Sequence, residues 1–151
     1  MSASYPRDIP PLWLLLTTAA MVTLHFTLPL QMLVMDPWRN LGWIVIAAGV
    51  LLVVLSAFRF KRAGTGVRPF SEATTVVSGG AFRWTRNPMY LGMVTVTVGV
   101  AICLGSASPL WLPVMLFFVL DRRFVRREEE FLRLSMGTAY DEYCARVRRW
   151  I

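Results

Sequence analysis

The stretch RWTRNPMYLG, residues 83–92, places two arginines, an asparagine and a proline directly before an apolar run of membrane length. Pro88 suits the first turn of a helix, because the N–H that proline lacks would have no partner there. We therefore predict a helix that starts at this proline and crosses the membrane over residues 89–107. Two interpretations of the polar cluster stay open. It is a basic and aromatic start of a membrane helix, or it is an anion site, since a helix N-terminus offers unpaired N–H groups and Arg86 adds a planar set of donors.

Three further apolar segments indicate membrane helices. A bilayer core of about 30 Å needs about 20 helical residues. The segments are predicted over residues 12–35, with Pro29 as a tolerated kink, over residues 41–58 and over residues 110–125. The last has only 11 apolar residues, Leu110 to Leu120, before Asp121. The sequence thus predicts an all-α polytopic membrane protein, with about four transmembrane helices in a single membrane-embedded domain over residues 1–151.

The basic residues orient this bundle. The chain has 16 Lys and Arg against 9 Asp and Glu, and 15 of the 16 lie before the first span, after the second, or in the tail that begins at Arg122. The positive-inside rule therefore predicts cytoplasmic N- and C-termini, a cytoplasmic site and a cytoplasmic C-terminal helical segment, with the cell inner membrane as the expected location. Nucleic acid is not an expected partner, because the basic residues flank apolar segments. The first apolar run is predicted to be a retained span and not a cleaved signal peptide.

A cluster of carboxylates follows the short fourth span. The helix is expected to continue past Asp121 as far as Gly137, because nothing between them breaks it. One interpretation of RREEEFLRLSMGTAYDEY, residues 126–143, is a solvated amphipathic helix with charge pairs such as Arg126 with Glu129 or Glu130. The other is one wall of a site. Three adjacent glutamates, 128–130, fan around a helix at about 100° per residue, so one or two must face the bundle. A carboxylate there could hold a cationic group or act as a base.

The remaining polar features have ordinary explanations. Gly64-Thr65-Gly66 is typical of a flexible turn, and the sequence does not decide whether it touches a ligand. His25 is the single histidine, and within a span it is better explained as a hydrogen-bonded packing residue than as a catalyst. One histidine and the separated Cys103 and Cys144 cannot supply a tetrahedral ligand set, so no metal site is expected. A disulfide framework is not expected either.

Three ordered motifs resemble one known family. They are VVSGGAFRWTRNPMYLG (residues 76–92), Glu128-Glu129-Glu130-Phe131-Leu132, and Gly137-Thr138-Ala139-Tyr140-Asp141-Glu142-Tyr143. Together they are similar to the signature of the isoprenylcysteine carboxyl methyltransferase and phospholipid methyltransferase group of integral-membrane enzymes. The resemblance covers about residues 63–148. The eukaryotic prenylcysteine enzymes have a histidine before the proline, and because Asn87 stands there in this chain, no role of that imidazole carries over.

This resemblance implies methyl transfer from S-adenosylmethionine to a small or lipophilic acceptor at the bilayer surface, through a carboxylate, a thiol or an amine. It implies cofactor-site segments at residues 63–92 and 122–148. Arg86 and Glu129 match catalytic positions: the arginine would orient an anionic acceptor or the donor carboxylate, and the glutamate would hold the donor ammonium or accept a proton. The implied cofactor-binding residues are Arg83, Asn87, Pro88, Tyr90, Leu91, Gly92, Glu128 and Glu129.

A small four-helix membrane transporter and a noncatalytic membrane scaffold are the alternative functions. A transporter would be expected to carry an ionisable residue in mid-span for coupling, and the predicted spans have only His25 there. A scaffold would bind no methyl donor. Because apolar bundles of this size often associate, homo-oligomerisation is an open alternative to a monomer.

Overall fold

The computed structural model describes residues 9–62 and 76–151, and the regular secondary structure of these residues is helical. The α-helices in these two ranges are α1 (Pro10–Thr27), α2 (Leu41–Arg62), α3 (Pro88–Leu104), α4 (Leu112–Leu120), α5 (Arg126–Met136) and α6 (Thr138–Arg146). One π-helical turn, Asp121–Val125, joins α4 to α5 without a break. The all-α fold class is confirmed, and the assignment of residues 1–151 to a single domain stays a prediction.

Helix α1 is shorter than the predicted first span. It ends at Thr27, and the expectation of a span that continues to residue 35 is wrong beyond that point. The reason is Pro29, which disfavours a helical conformation at Leu28 and has no N–H to donate to the preceding turn. The chain instead lies against the end of α3, where the N–H of Leu33 donates to the carbonyl of Gly105 at 2.8 Å.

Two pairs of glycines bring α2 and α3 into backbone contact. A Cβ atom added at Gly49 would lie 2.8 Å from the carbonyl oxygen of Gly92, and one added at Gly92 would lie 2.7 Å from that of Gly49. Gly42 and Gly99 repeat this contact seven residues away along each helix, in opposite chain directions. These positions have room only for glycine, so close packing of the antiparallel helices α2 and α3 holds the centre of the fold.

Helices α3 and α4 begin and end close to the predicted limits. Helix α3 starts with Pro88 in its first turn, as predicted, and ends at Leu104, three residues early, because Gly105 adopts a left-handed conformation with φ of 75°. Helix α4 starts at Leu112, two residues late. The predicted continuation of the fourth helix as far as Gly137 is confirmed. The helix reaches Met136, and Gly137 has a φ of 56°.

A hydrophobic cluster lies at the end of the bundle where α3 begins. Its buried members come from α3, α4 and the π turn: Tyr90, Met93, Leu116, Leu120, Phe124 and Val125. Partly buried side chains of α1, α2 and the C-terminal residues pack against them, among them Trp13, Val53 and Trp150. The start of α1, the end of α2, the start of α3 and the end of α4 thus meet at one end, which we call the basic end because the arginines of residues 59–62, 83–86 and 122–149 flank it.

The opposite end of the bundle is held by polar contacts to the residues around the end of α3. Nδ1 of His25 lies 2.8 Å from Oγ of Ser106. Nε of Arg39 donates to the carbonyl of Cys103 at 2.8 Å. The hydrogen bond of His25 agrees with the packing role that the sequence suggests for it.

One helix within residues 9–62 and 76–151 is long and apolar enough to cross a bilayer. It is Trp38–Arg62, which is α2 together with the 3₁₀ turn before it. Only 17% of its apolar stretch is buried inside the protein, whereas the core helix of a soluble protein is mostly buried. Helix α3 is a shorter apolar helix. The structure therefore does not establish the predicted four spans, and the other three stay predictions.

Candidate active site

The two residues predicted to be catalytic, Arg86 and Glu129, meet at the basic end. Arg86 lies just before α3 and Glu129 lies in α5, and Nη1 of the arginine is 3.4 Å from Oε1 of the glutamate. The side chains are 12% and 3% exposed, respectively. Removing charges from water costs on the order of several kcal/mol per ion, so each buried charge needs close partners.

A second arginine, Arg149, completes the surroundings of Glu129. Its Nη2 and Nε donate to Oε2 of Glu129 at 2.7 and 3.1 Å. These hydrogen bonds raise the pKa of the Arg149 guanidinium. Glu129 thus has one arginine at each carboxylate oxygen, with Arg149 in direct hydrogen bonds to Oε2 and Arg86 at a longer distance from Oε1.

Two buried atoms, one in Arg86 and one in Glu129, have no hydrogen-bond partner among the described residues. They are Nε of Arg86 and Oε1 of Glu129. Nη1 of Arg86 is engaged, since it donates to Sγ of Cys144 at 2.7 Å. A buried polar group without a partner costs about 1–3 kcal/mol. Each of these atoms could therefore bind a ligand, the Arg86 nitrogen as a donor and the Glu129 oxygen as an acceptor.

The neighbouring Glu128 faces α3. Its Oε2 accepts a hydrogen bond from the hydroxyl of Tyr90 at 2.9 Å, and the Tyr90 ring stacks on Phe124 with centroids 6.4 Å apart. Burial raises the pKa of the Glu128 carboxyl; the Tyr90 hydrogen bond lowers it and the charge of Glu129 raises it, with a net upward shift. Glu130 is exposed. Two of the three adjacent glutamates thus turn inward, as their angular spacing predicts.

The tyrosines of the third sequence motif bring α6 over the site. The hydroxyl of Tyr143 donates to the carbonyl of Phe82 at 2.8 Å, which ties α6 to the turn before α3. Tyr140 forms a hydrogen bond with Cys144 beside Arg86. Burial raises the pKa of both phenols, so both stay neutral. These contacts exclude solvent from the arginine–glutamate pair.

The C-terminal segment, residues 147–151, lies across the residues that precede α3. The N–H of Arg86 donates to the carbonyl of Arg148 at 3.0 Å. The carbonyl of Arg149 accepts two hydrogen bonds, from Oγ1 of Thr85 at 3.0 Å and from Nδ2 of Asn87 at 3.1 Å. The main chain of the segment is therefore fixed to the start of α3, while the Arg149 side chain reaches α5.

Asp121 of the π turn holds the next residue of this segment. Its Oδ1 accepts from Nε1 of Trp150 at 3.1 Å, and its Oδ2 accepts from Nε of Arg126 at 2.7 Å. The residue is only 5% exposed. The stretch after the fourth helix does form one wall of the polar cluster, and π turns often occur at functional sites.

The structure gathers some of the predicted site residues and separates others. Arg86, Asn87, Tyr90, Glu128 and Glu129 lie together, and Pro88 and Leu91 lie in the first turn of α3 beside them. By contrast, Arg83 is exposed, and Gly92 faces Gly49 in the contact between α2 and α3. The cofactor contacts implied for all eight residues, and the catalytic roles implied for Arg86 and Glu129, stay predictions. Gly64-Thr65-Gly66, in the predicted segment 63–92, lies outside the described residues.

Sequence reasoning missed the role of Arg149. It counts this residue as one of several basic residues in the tail, and nothing local distinguishes it from its neighbour Arg148. The two differ in the fold, because the Arg149 side chain is half-buried against Glu129 and Arg148 is exposed. Only the fold-back of the C-terminal segment brings this arginine to the site.

The fold and the site together define an all-helical protein with an arginine–glutamate–tyrosine site at one end of an apolar bundle. In a comparison with known families, the chain matches the phospholipid methyltransferase family over residues 38–139, which is more than half of the chain. This protein therefore belongs to the phospholipid methyltransferase family, and the resemblance seen in its motifs is confirmed. The match includes Arg86, Glu128 and Glu129 and ends before Tyr140 and the C-terminal segment.

The chain is also similar to an uncharacterized protein of Haemophilus influenzae. The two are 34% identical over 64 residues, which is 42% of this chain and the whole of the other protein. The name of that protein assigns no activity, so the family match is what bears on function.

Proposed function

We propose that this protein transfers a methyl group from S-adenosylmethionine to a lipophilic acceptor at the cytoplasmic surface of the membrane. Membership of a methyltransferase family supports the reaction class. The observation that carries the cofactor assignment is the pair of unpartnered buried atoms, Nε of Arg86 and Oε1 of Glu129. A ligand that presents an acceptor to the arginine and a donor to the glutamate would satisfy both atoms.

The amino-acid end of S-adenosylmethionine fits this requirement. It carries a carboxylate, which accepts from guanidinium N–H groups, and an ammonium, which donates to a carboxylate oxygen. Arg86 and Glu129 would hold these two groups, and the neutral tyrosines of α6 would keep water away from them. When bound, S-adenosylmethionine supplies an electrophilic methyl group on a positively charged sulfur.

The chain's own side chains supply binding, orientation and a proton acceptor. Holding the reactants in line provides most of the acceleration in a displacement of this kind. An amine or thiol acceptor must also lose a proton. Glu128 is a side chain of the site that could take it, because burial raises the pKa of its carboxyl and so strengthens its carboxylate as a proton acceptor. A carboxylate acceptor would need no base.

The outward faces of the helices support insertion in the bilayer. Large apolar side chains are exposed on α1, α2 and α4, with 77% exposure at Phe26, 66% at Trp43 and 56% at Val114. Contiguous apolar surface of this kind is rare on soluble proteins and is covered by lipid in membrane proteins. We propose that α1 to α4 cross or enter the membrane with the basic end in the cytoplasm.

An apolar groove between α3 and α4 supports a lipophilic acceptor. Its volume is about 350 Å³, and it is lined by Val94, Val98, Pro113, Val114, Phe117 and Phe118. The ring of Phe117 also packs on Trp150, with centroids 4.6 Å apart, and Trp150 binds Asp121 at the polar cluster. Phe117 and Trp150 therefore connect the groove to Asp121. An acceptor with an apolar tail would have a path along this groove toward the site.

Methyl transfer into lipid tests the proposal. Purified protein in liposomes made from a bacterial lipid extract would receive S-adenosylmethionine labelled in its methyl group, and the label would be counted in the organic phase. We expect label in that phase, and a loss of about tenfold or more in Glu129→Gln and Arg86→Ala, since each removes a charge-assisted hydrogen bond. The exposed neighbours Glu130→Gln and Arg146→Ala are the matched controls and should transfer label normally.

Two results would contradict different parts of the proposal. Absence of label from every fraction, with folded protein, would count against methyl transfer. Transfer of label to water-soluble acceptors alone would count against the lipophilic acceptor.

A further inference from the structure

Asn87 occupies the N-cap position of α3 without capping it. Its side chain makes no capping hydrogen bond, although asparagine is among the best N-cap residues. The residue is 7% exposed, and its Nδ2 donates instead to the carbonyl of Arg149 at 3.1 Å. The side chain thus donates to a main-chain carbonyl that lies 62 residues further along the chain, and not to the first turn of its own helix.

Thr85 makes a second hydrogen bond to the carbonyl of Arg149. Its Oγ1 donates to the same carbonyl at 3.0 Å and accepts the N–H of Asn87 at 3.2 Å. A carbonyl oxygen has two lone pairs, and both are engaged at Arg149. The attachment fixes the position from which the Arg149 side chain extends toward Glu129.

The Arg149 guanidinium binds one carboxylate oxygen of Glu129, and Arg86 lies near the other. An arginine and a carboxylate normally form two parallel hydrogen bonds. Here both donors of Arg149 converge on Oε2, while Nη1 of Arg86 stays 3.4 Å from Oε1. Without Arg149, the glutamate could pair with Arg86 in the usual two-bonded form. That pairing would engage Oε1 of Glu129, the oxygen that a cationic group of a ligand needs.

We propose that Asn87 is a positioning residue: by holding the main chain of Arg149, it keeps the Arg149 guanidinium on Oε2 of Glu129 and leaves Oε1 and Nε of Arg86 open to the amino-acid end of the methyl donor. This inference rests on the proposed function, because it concerns the same donor. In this inference Asn87 acts through Arg149, whereas the family resemblance implies that Asn87 contacts the cofactor directly.

A double-mutant cycle tests this chain of contacts. The probe is S-adenosylhomocysteine, the demethylated donor, titrated calorimetrically into detergent-purified protein. Asn87→Asp has the shape of asparagine without its N–H donor, and we expect it to weaken binding about fivefold to tenfold. Arg149→Met should weaken binding at least as much, and the double variant should bind no more weakly than Arg149→Met alone. Arg148→Met, an exposed neighbour, is the matched control and should bind normally.

Asn87→His provides a rescue. The Nδ1–H of histidine sits as far from the main chain as Nδ2 of asparagine and can donate to the same carbonyl. We expect affinity within about threefold of the natural protein, since one hydrogen bond replaces another. Additive losses in the double variant, or binding by Asn87→His as weak as by Asn87→Asp, would overturn the inference.

A second measurement needs no donor. Hydrogen–deuterium exchange of the peptide covering residues 144–151 should be faster in ligand-free Asn87→Asp than in the natural protein, because one of the two attachments is lost. Unchanged exchange would overturn the inference. Failure of the natural protein to bind S-adenosylhomocysteine would instead overturn the proposed function, so the two failures are distinguishable.

Discussion

Glu129 receives two hydrogen bonds from Arg149 on a single oxygen, Oε2, although the two residues are 20 positions apart in the chain. The other oxygen, Oε1, is buried and has no hydrogen-bond partner among the described residues. Oε2 therefore holds Arg149 in place, and Oε1 is available to a ligand. The proposed function and the role of Asn87 both depend on this difference.

The contact between α2 and α3 makes a first prediction about stability. Gly49→Ala places a Cβ atom 2.8 Å from the carbonyl oxygen of Gly92, so one helix must move. We expect a destabilisation of about 1–3 kcal/mol, as for other overpacked sites, seen as a lower melting temperature in detergent. Ala48→Val adds bulk at the exposed neighbouring position and is the control. Equal melting temperatures for the two variants would contradict the close helix contact.

The raised pKa of Glu128 predicts a dependence of stability on pH. Its ordinary value is 4.5, and the folded protein binds this proton more tightly than the unfolded chain does. Protonation therefore favours the folded state at acid pH, and this contribution is lost as the pH rises from 4.5 through the raised pKa. Glu128→Gln resembles the protonated form and keeps an acceptor oxygen for Tyr90. We expect its melting temperature to equal that of the natural protein at pH 4 and to exceed it increasingly at higher pH.

Glu130→Gln is the control for this pH series, because Glu130 is exposed. Its melting temperature should follow that of the natural protein at every pH. A difference between Glu128→Gln and the natural protein that does not change with pH would show that Glu128 does not titrate as described.

The hydrogen bond between Trp150 and Asp121 makes a prediction about the C-terminal segment. Trp150→Phe keeps an aromatic ring against Phe117 but removes the N–H, which leaves Oδ1 of the buried Asp121 without this donor. We expect a loss of about 1–3 kcal/mol of stability, measured by thermal unfolding in detergent. Trp111→Phe, at an exposed position at the other end of the bundle, should unfold normally. Similar unfolding of both variants would mean that this hydrogen bond does not hold the segment.

Local sequence signals predicted the elements that depend on local conformation. Pro88 marked the start of α3 and Gly137 the end of α5, because each imposes a backbone preference that neighbours cannot override. The angular spacing of residues 128–130 correctly predicted that some of these glutamates turn inward. The family resemblance implies that Arg86 and Glu129 are both site residues, and the structure places their side chains 3.4 Å apart.

The sequence could not predict features that depend on distant residues. The sequence predicts a kink at Pro29, but the helix ends before this proline, and the residues that follow form hydrogen bonds to the carbonyl of Gly105 that no local signal indicates. The role of Arg149 arises only when the C-terminal segment folds back on Thr85 and Asn87. A basic tail by itself indicates membrane orientation, so the charge of this residue carried no sign of its position beside Glu129.

The most direct test of the central claim is calorimetric titration of S-adenosylhomocysteine into the natural protein and into Glu129→Gln. We predict saturable binding to the natural protein, normal binding to Glu130→Gln, and a loss of about tenfold or more in Glu129→Gln, because Oε1 no longer carries charge for the donor ammonium. Circular dichroism would establish that all three proteins are folded. Absence of binding to the folded natural protein, or undiminished binding to Glu129→Gln, would contradict the account.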